Sequence, residues 1–145
     1  MSIQTRQEAL IQEFGVSSNW EDRYKKIIAY GKTLPEFPEQ YRTEDNRVKG
    51  CQSQVWLHAQ LNDKGEIEFQ GDSDALIVKG LVAVLIKIYS GATPSDIILH
   101  PPSFIQALGF EGNLSPSRAN GLFSMIKQIR HYAMAYQALQ QMQKK

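Results

Sequence analysis

The 145-residue sequence predicts an α+β fold: a small antiparallel β-sheet of about three strands, with helices packed on one side. Three features carry this prediction. Residues 54–61 alternate between apolar and polar side chains, and a turn then returns the chain into a second alternating run. Apolar residues at helical spacing flank this hairpin on both sides, giving the order α-α-β-β-α-α. The run from Ala75 to Tyr89 is apolar nearly all round, which marks a central helix covered on every side.

Each element follows from its residues. Ile3, Leu10, Ile11 and Phe14 are the apolar positions of a short helix over 3–14, ended by Gly15. Asn19 is the N-cap of a stronger helix over about 19–33, where Trp20, Tyr24, Ile27, Ile28 and Gly31 share a face. Gly31 and Pro35 close it. From Leu34 to Gly50 periodicity is lost among prolines and charges, which reads as a long, flexible connection. In the strand that follows, Val55, Leu57, Ala59 and Leu61 face inward, and Gln54, Trp56, His58 and Gln60 face outward. Asn62-Asp63-Lys64-Gly65 makes the hairpin turn, and residues 66–70 return with Ile67 and Phe69 inward. A third strand has to come from the connection, where the pattern is weak.

Gly71-Asp72-Ser73-Asp74 reads as a turn into the central helix, with Ser73 or Asp74 as N-cap and acidic charge at the positive end of the helix dipole. Thr93-Pro94 and Pro101-Pro102 punctuate short helical turns. Ser115-Pro116 reads as the N-cap and first residue of a long terminal helix, striped by Leu122, Met125, Ile126, Ile129, Ala133 and Tyr136. Its tail, residues 137–145, is expected to fray.

Composition narrows the function. The length suits one domain over 1–145, and 42% hydrophobic with 21% charged residues is ordinary for a globular chain. Sixteen Lys and Arg against 15 Asp and Glu give a net charge of +1, too little excess for a protein built to grip nucleic-acid phosphates. One cysteine excludes an internal disulfide framework and any multi-cysteine zinc or iron–sulfur site within one chain. The start, MSIQTRQEALIQEF, has no basic segment leading into an apolar stretch, so it reads as mature sequence. The Ala75–Tyr89 run is shorter than the roughly 20 apolar residues of a bilayer span and carries Lys79 and Lys87. A cytoplasmic protein with no membrane partner is the expectation.

Chemistry centres on Cys51. A lone cysteine is either a small buried hydrophobe or a reactive thiol. Here it follows a glycine at the mouth of the long connection, outside any apolar period, and Arg47 and Lys49 are near enough in sequence to favour thiolate. His58, His100 and His131 stand in no recognisable motif with it and offer no metal-ligand spacing. Arg118 is a second anomaly, a cation in the first turn of the terminal helix and toward its inward stripe. It has two readings: a salt bridge to Glu111 or to a residue across the fold, or a positive charge held near the sulfur or facing a partner. Asp72 and Asp74 have an explanation as helix caps, and Glu44, Asp45 and Arg47 as a solvated loop. Trp56, on the polar face of its strand, either covers a second layer of core or belongs to a recognition surface.

These residues resemble a known family. Gly50-Cys51-Gln52-Ser53-Gln54-Val55-Trp56, Gly71-Asp72-Ser73-Asp74-Ala75 and Ile77-Val78-Lys79-Gly80-Leu81 are similar to blocks of the SufE family of sulfur-acceptor proteins. So are Asn19-Trp20 with Tyr24, Leu34-Pro35, and Leu114-Ser115-Pro116-Ser117-Arg118 with Gly121-Leu122. The resemblance spans roughly Asn19 to Ala135 and implies a sheet-and-helix fold like that of NifU/IscU-type scaffolds. It implies a carrier that is not itself an enzyme. On that resemblance a cysteine desulfurase of the SufS or CsdA kind would donate sulfane sulfur to Cys51 and be stimulated by the acceptor. An iron–sulfur scaffold complex of the SufBCD kind, or another acceptor, would then receive the sulfur. The chain would hold no cofactor, since the pyridoxal phosphate (PLP) belongs to the desulfurase. The loop of Lys49, Gly50, Cys51, Gln52, Ser53 and Gln54 would face the partner, with Asp74 and Arg118 beside it. A monomer and a homodimer fit equally. The alternative is a single-cysteine thiol redox or sensor protein.

Overall fold

The computed structural model describes residues 2–16 and 19–143. In chain order the elements are α1 (Ile3–Gly15), α2 (Trp20–Lys32), β1 (Val55–Leu61), β2 (Ile67–Ser73), α3 (Leu76–Tyr89), α4 (Pro94–Leu99), α5 (Phe104–Ala107), α6 (Phe110–Asn113) and α7 (Pro116–Gln143). This is the expected α+β order. Among the described residues the sheet has two strands, antiparallel, with Val55 opposite Ser73 and Leu61 opposite Ile67. The third strand shrinks to one bridge, Arg47 to Trp56, because the chain before Arg47 folds into 3-10 turns at Glu39–Tyr41 and Glu44–Asn46.

The inward faces of β1 and β2 bury Val55, Leu57, Ala59, Ile67 and Phe69 beneath α3, whose Leu81, Val82, Leu85 and Ile88 are all but inaccessible. β2 runs three residues past the expected end at Gln70, and Gly71 explains why. It takes an inward place in the alternation but carries no side chain to show it. Val82 Cγ1 and Leu57 Cδ2 fill that space, 2.6 and 3.0 Å from where a Cβ would stand. The N-cap of α3 is therefore Ala75, with no side-chain cap, and not Ser73 or Asp74.

α2 starts as read: the Asn19 side chain accepts from the Asp22 N–H at 2.9 Å. It crosses α3 at two glycines, and a Cβ on Gly31 would come 2.9 Å from the Gly80 nitrogen. α1 is tied to the Pro101–Phe104 corner by the buried Gln7. Its amide donates to the Pro101 carbonyl at 3.2 Å and accepts from the Phe104 N–H at 3.1 Å.

The free edge of β1 is held by α7. Tyr132 and Tyr136 donate their hydroxyls to the Leu57 and Ala59 carbonyls at 3.0 and 3.1 Å, satisfying acceptors that an edge strand would leave open. α7 continues to Gln143 and does not fray at 137, helped by the Gln140 amide on the Gly65 carbonyl at 3.3 Å. The last two residues of the expected frayed tail lie outside the described set.

The connection from Leu34 to Gly50 is packed down on the outer face of the hairpin, contrary to the flexible segment expected. Phe37 is buried, Tyr41 stacks on His58 at 3.6 Å, and the Arg42 guanidinium lies 4.8 Å over the Trp56 ring. Arg42 also bonds Asp72 at 2.5 Å, and Lys79 approaches the same carboxylate at 3.4 Å. Asp72 is thus a strand anchor and not a helix cap. Burial would raise its pKa, but the bonds from Arg42 and the Ser73 backbone, with the Lys79 charge, hold it below the ordinary value. Trp56 is under cover.

The glycine crossing sets a steric test. A methyl at Gly80 would overlap the Ile27 carbonyl, which is backbone and cannot swing aside. Overpacking of this kind costs about 1–3 kcal/mol, while alanine returns roughly 1 kcal/mol of helix propensity. Gly80→Ala should therefore lower stability, read as a fall in the urea midpoint with an unchanged slope. A midpoint that rises would show that the helices do not meet as closely as described.

Candidate functional site

Cys51 sits at the tip of a short arm. The Val48 N–H donates to the Val55 carbonyl at 2.8 Å, and both side chains are buried, so residues 49–54 are closed at their base. Past the tip, Gln54 and Asp74 are paired: the Gln54 N–H donates to Asp74 Oδ1 at 3.0 Å, and the Asp74 N–H to the Gln54 carbonyl at 3.2 Å. Asp74 holds the arm and does not cap α3. Gly50 turns the chain with φ of +87°, a conformation that strains any residue with a Cβ. The arm then lies on α7, where the Cys51 S–H donates to the Gly121 carbonyl at 3.7 Å.

Beside the sulfur is a cavity of about 370 Å³. Its lining brings together Cys51, Gln52 and Ser53 from the arm, Ala75–Val78 from the start of α3, and Ser117, Arg118 and Gly121 from α7. Ile28 of α2 adds apolar wall. Of the residues expected at the site, Gln52, Ser53 and Arg118 line the cavity with Cys51. Lys49, Gly50, Gln54 and Asp74 belong to the arm or its fastening and do not line it.

The electrostatics differ from the sequence expectation. Lys49 and Arg47 do not serve the sulfur, because both turn to Glu44, at 2.6 and 3.6 Å. Burial alone pushes the Cys51 thiol above its ordinary pKa. Arg118 has no ion-pair or hydrogen-bond partner for its guanidinium among the described residues, so of its two readings the salt bridge is absent there and the charge near the sulfur remains. Its backbone N–H is taken by the Ser115 side chain at 3.3 Å, which confirms Ser115 as the cap of α7. The cavity therefore opens on two helix N-termini and one unpaired cation, an environment that suits an anion better than a neutral thiol.

The histidines lie elsewhere. His58 is stacked under Tyr41, His100 bonds Asp96 at 2.8 Å, and neither lines the cavity. Among the described residues no group of three or more His, Cys, Asp and Glu is placed to hold a metal, and no helix is long and apolar enough to cross a membrane. Sequence reasoning missed the contribution of α3 and of Ile28, and it left Ser117 and Gly121 without a role at the site. The signal available was Gly121 itself, a glycine inside a helical stripe, which usually has a packing reason.

Fold and site together define a small α+β protein built to present one shielded thiol beside a cationic cavity. The family model described as "SufE: Fe-S metabolism associated domain" matches residues 8–133, and the chain belongs to that family, which places it in iron–sulfur metabolism. Among solved structures it is similar to the solution structure of a hypothetical protein from Thermus thermophilus. The TM-score is 0.76 at 21% identity, over 92% of this chain and 96% of that one, a likeness of fold.

The environment of Cys51 fixes its expected titration. A raised pKa means less thiolate at neutral pH than an ordinary cysteine has, and a rate that climbs only at higher pH. The iodoacetamide alkylation profile should have its inflection above that of a free cysteine. Arg47→Gln and Lys49→Gln should leave it in place, since both side chains are spent on Glu44. An inflection below the free-cysteine value, or one that rises in those variants, would return the two cations to the sulfur.

Proposed function

We propose that the chain is a non-enzymatic sulfur carrier that accepts sulfane sulfur from a cysteine desulfurase onto Cys51 and passes it to an iron–sulfur assembly scaffold. The observation that carries this is the pairing of one thiol with a cavity that has room and positive potential for one more sulfur. The donor is a pyridoxal-phosphate enzyme carrying a persulfide on its own cysteine, and the carrier needs no cofactor. The setting is the cytoplasm.

The transfer balances without an oxidant. The Cys51 thiolate attacks the terminal sulfur of the donor persulfide and a new S–S bond forms at Cys51. The donor S–S bond breaks, and its electron pair leaves on the donor cysteine, which takes up the proton released at Cys51. The product on Cys51 is a persulfide, more acidic than the thiol, and the start of α3, the start of α7 and Arg118 favour its anion. A second thiol would discharge it as a disulfide, and the sequence has none. Shielding between partners follows from the arm lying on α7. A redox sensor wants an exposed thiol of low pKa, whereas Cys51 is half-buried with its pKa raised, so that reading has less support.

Incubation with a desulfurase and cysteine, followed by intact-mass measurement, tests this. The wild type should gain one or more sulfur atoms removable by reductant, Cys51→Ser should gain none, and only the wild type should speed desulfurase turnover. A folded wild type that gains no mass from any desulfurase tried would overturn the proposal.

A further inference from the structure

Two of the α7 residues that the arm lies against are small. Gly121 lies under the sulfur: a Cβ there would stand 3.5 Å from Sγ, an ordinary contact. The tighter point is Ser124, one helical turn further along α7. A Cβ built on Gly50 would come 2.7 Å from Ser124 Oγ and 3.7 Å from its Cβ. Ser124 is half-buried, and its hydroxyl lies beneath the arm. Since the Val48–Val55 bond fixes the base of the arm, the way its tip lies depends on what α7 presents beneath Gly50.

We propose that Ser124 is a positioning residue: the space it leaves under Gly50 sets how far the arm closes Cys51 against α7, and so how often the thiol is free for sulfur transfer. The link to sulfur transfer rests on the function proposed above, but the closure itself does not. A side chain longer than serine that follows the direction of the Ser124 hydroxyl enters the space beneath Gly50 and lifts the tip. A shorter one leaves the contact with Gly121 intact. Conversely, a methyl on Gly50 collides with the hydroxyl of Ser124 but clears its Cβ, so removing the hydroxyl should relieve the steric part of a Gly50→Ala change. The strain of its positive φ would remain.

The test is the alkylation rate of Cys51 by iodoacetamide, followed by intact mass with no desulfurase present. Ser124→Leu should react at least about fivefold faster than wild type, the low end of what crowding a packed contact does to an equilibrium. Ser124→Ala should stay within about twofold, as small changes of a half-buried residue do. Gly50→Ala should also react faster, and Gly50→Ala with Ser124→Ala should fall back toward wild type, a rescue that general destabilisation would not give. Local opening also leaves the rates insensitive to low urea, whereas reaction through global unfolding climbs with it. Folded Ser124→Leu reacting at the wild-type rate would overturn the proposal. If that variant does not fold, a Gly50→Ala rate that Ser124→Ala fails to lower does the same. Since no partner enters this assay, loss of sulfur loading with these responses intact would count against the carrier function alone.

Discussion

The bond from the Val48 N–H to the Val55 carbonyl, 2.8 Å between two buried residues, is the constraint on which the site depends. It turns the end of a long connection into an arm with a closed base, and places the only cysteine at its tip. Its position is relayed to α7 through the sheet: β1 continues from Val55, and Tyr132 and Tyr136 fasten α7 to the Leu57 and Ala59 carbonyls. The surface that receives the sulfur is thus fixed to the strand that carries the arm. Each of these bonds is worth only about 1 kcal/mol in isolation. Their effect here is geometric, because with the Gln54–Asp74 pair they leave residues 49–53 as the segment between fixed ends.

Two opposed electrostatic demands meet at Cys51. Burial holds the resting thiol protonated, and the cations nearest in sequence are taken by Glu44. Burial is the cause that moves the resting thiol. The cavity beside the thiol, with Arg118 and two helix N-termini, is disposed toward negative charge. A carrier benefits from both, since the idle thiol resists stray chemistry while the loaded sulfur finds a favourable place. The outer face of the hairpin is closed off by the same connection that ends in the arm, with Arg42 bound to Asp72 and laid over Trp56.

Much of this was legible in the residues. The helices were readable because their apolar positions repeat and some of their caps are explicit, as at Asn19 and Ser115. The hairpin was readable from alternation, but only as far as Gln70, because Gly71 holds an inward place without a side chain to mark it. Cys51 and Arg118 stood out as breaks in local pattern, and the fold brings both to one cavity. What was not legible depends on contacts distant in sequence. Arg47 and Lys49 looked like partners for the sulfur until the 3-10 turn at Glu44–Asn46 brought Glu44 between them and that role. The connection looked flexible because the partners of Tyr41 and Arg42, namely His58, Trp56 and Asp72, lie on the hairpin and outside any period within the connection itself.

The central claim is passage of a sulfur atom through Cys51, and a pulse–chase with ³⁵S-cysteine tests it most directly. The chain is loaded by a desulfurase, separated from the donor, and mixed with an iron–sulfur scaffold complex. Label leaving Cys51 and arriving on the scaffold, with little free sulfide released when the scaffold is omitted, is the expected result. Label that stays on the chain, or that escapes as free sulfide equally fast with and without scaffold, would contradict a carrier.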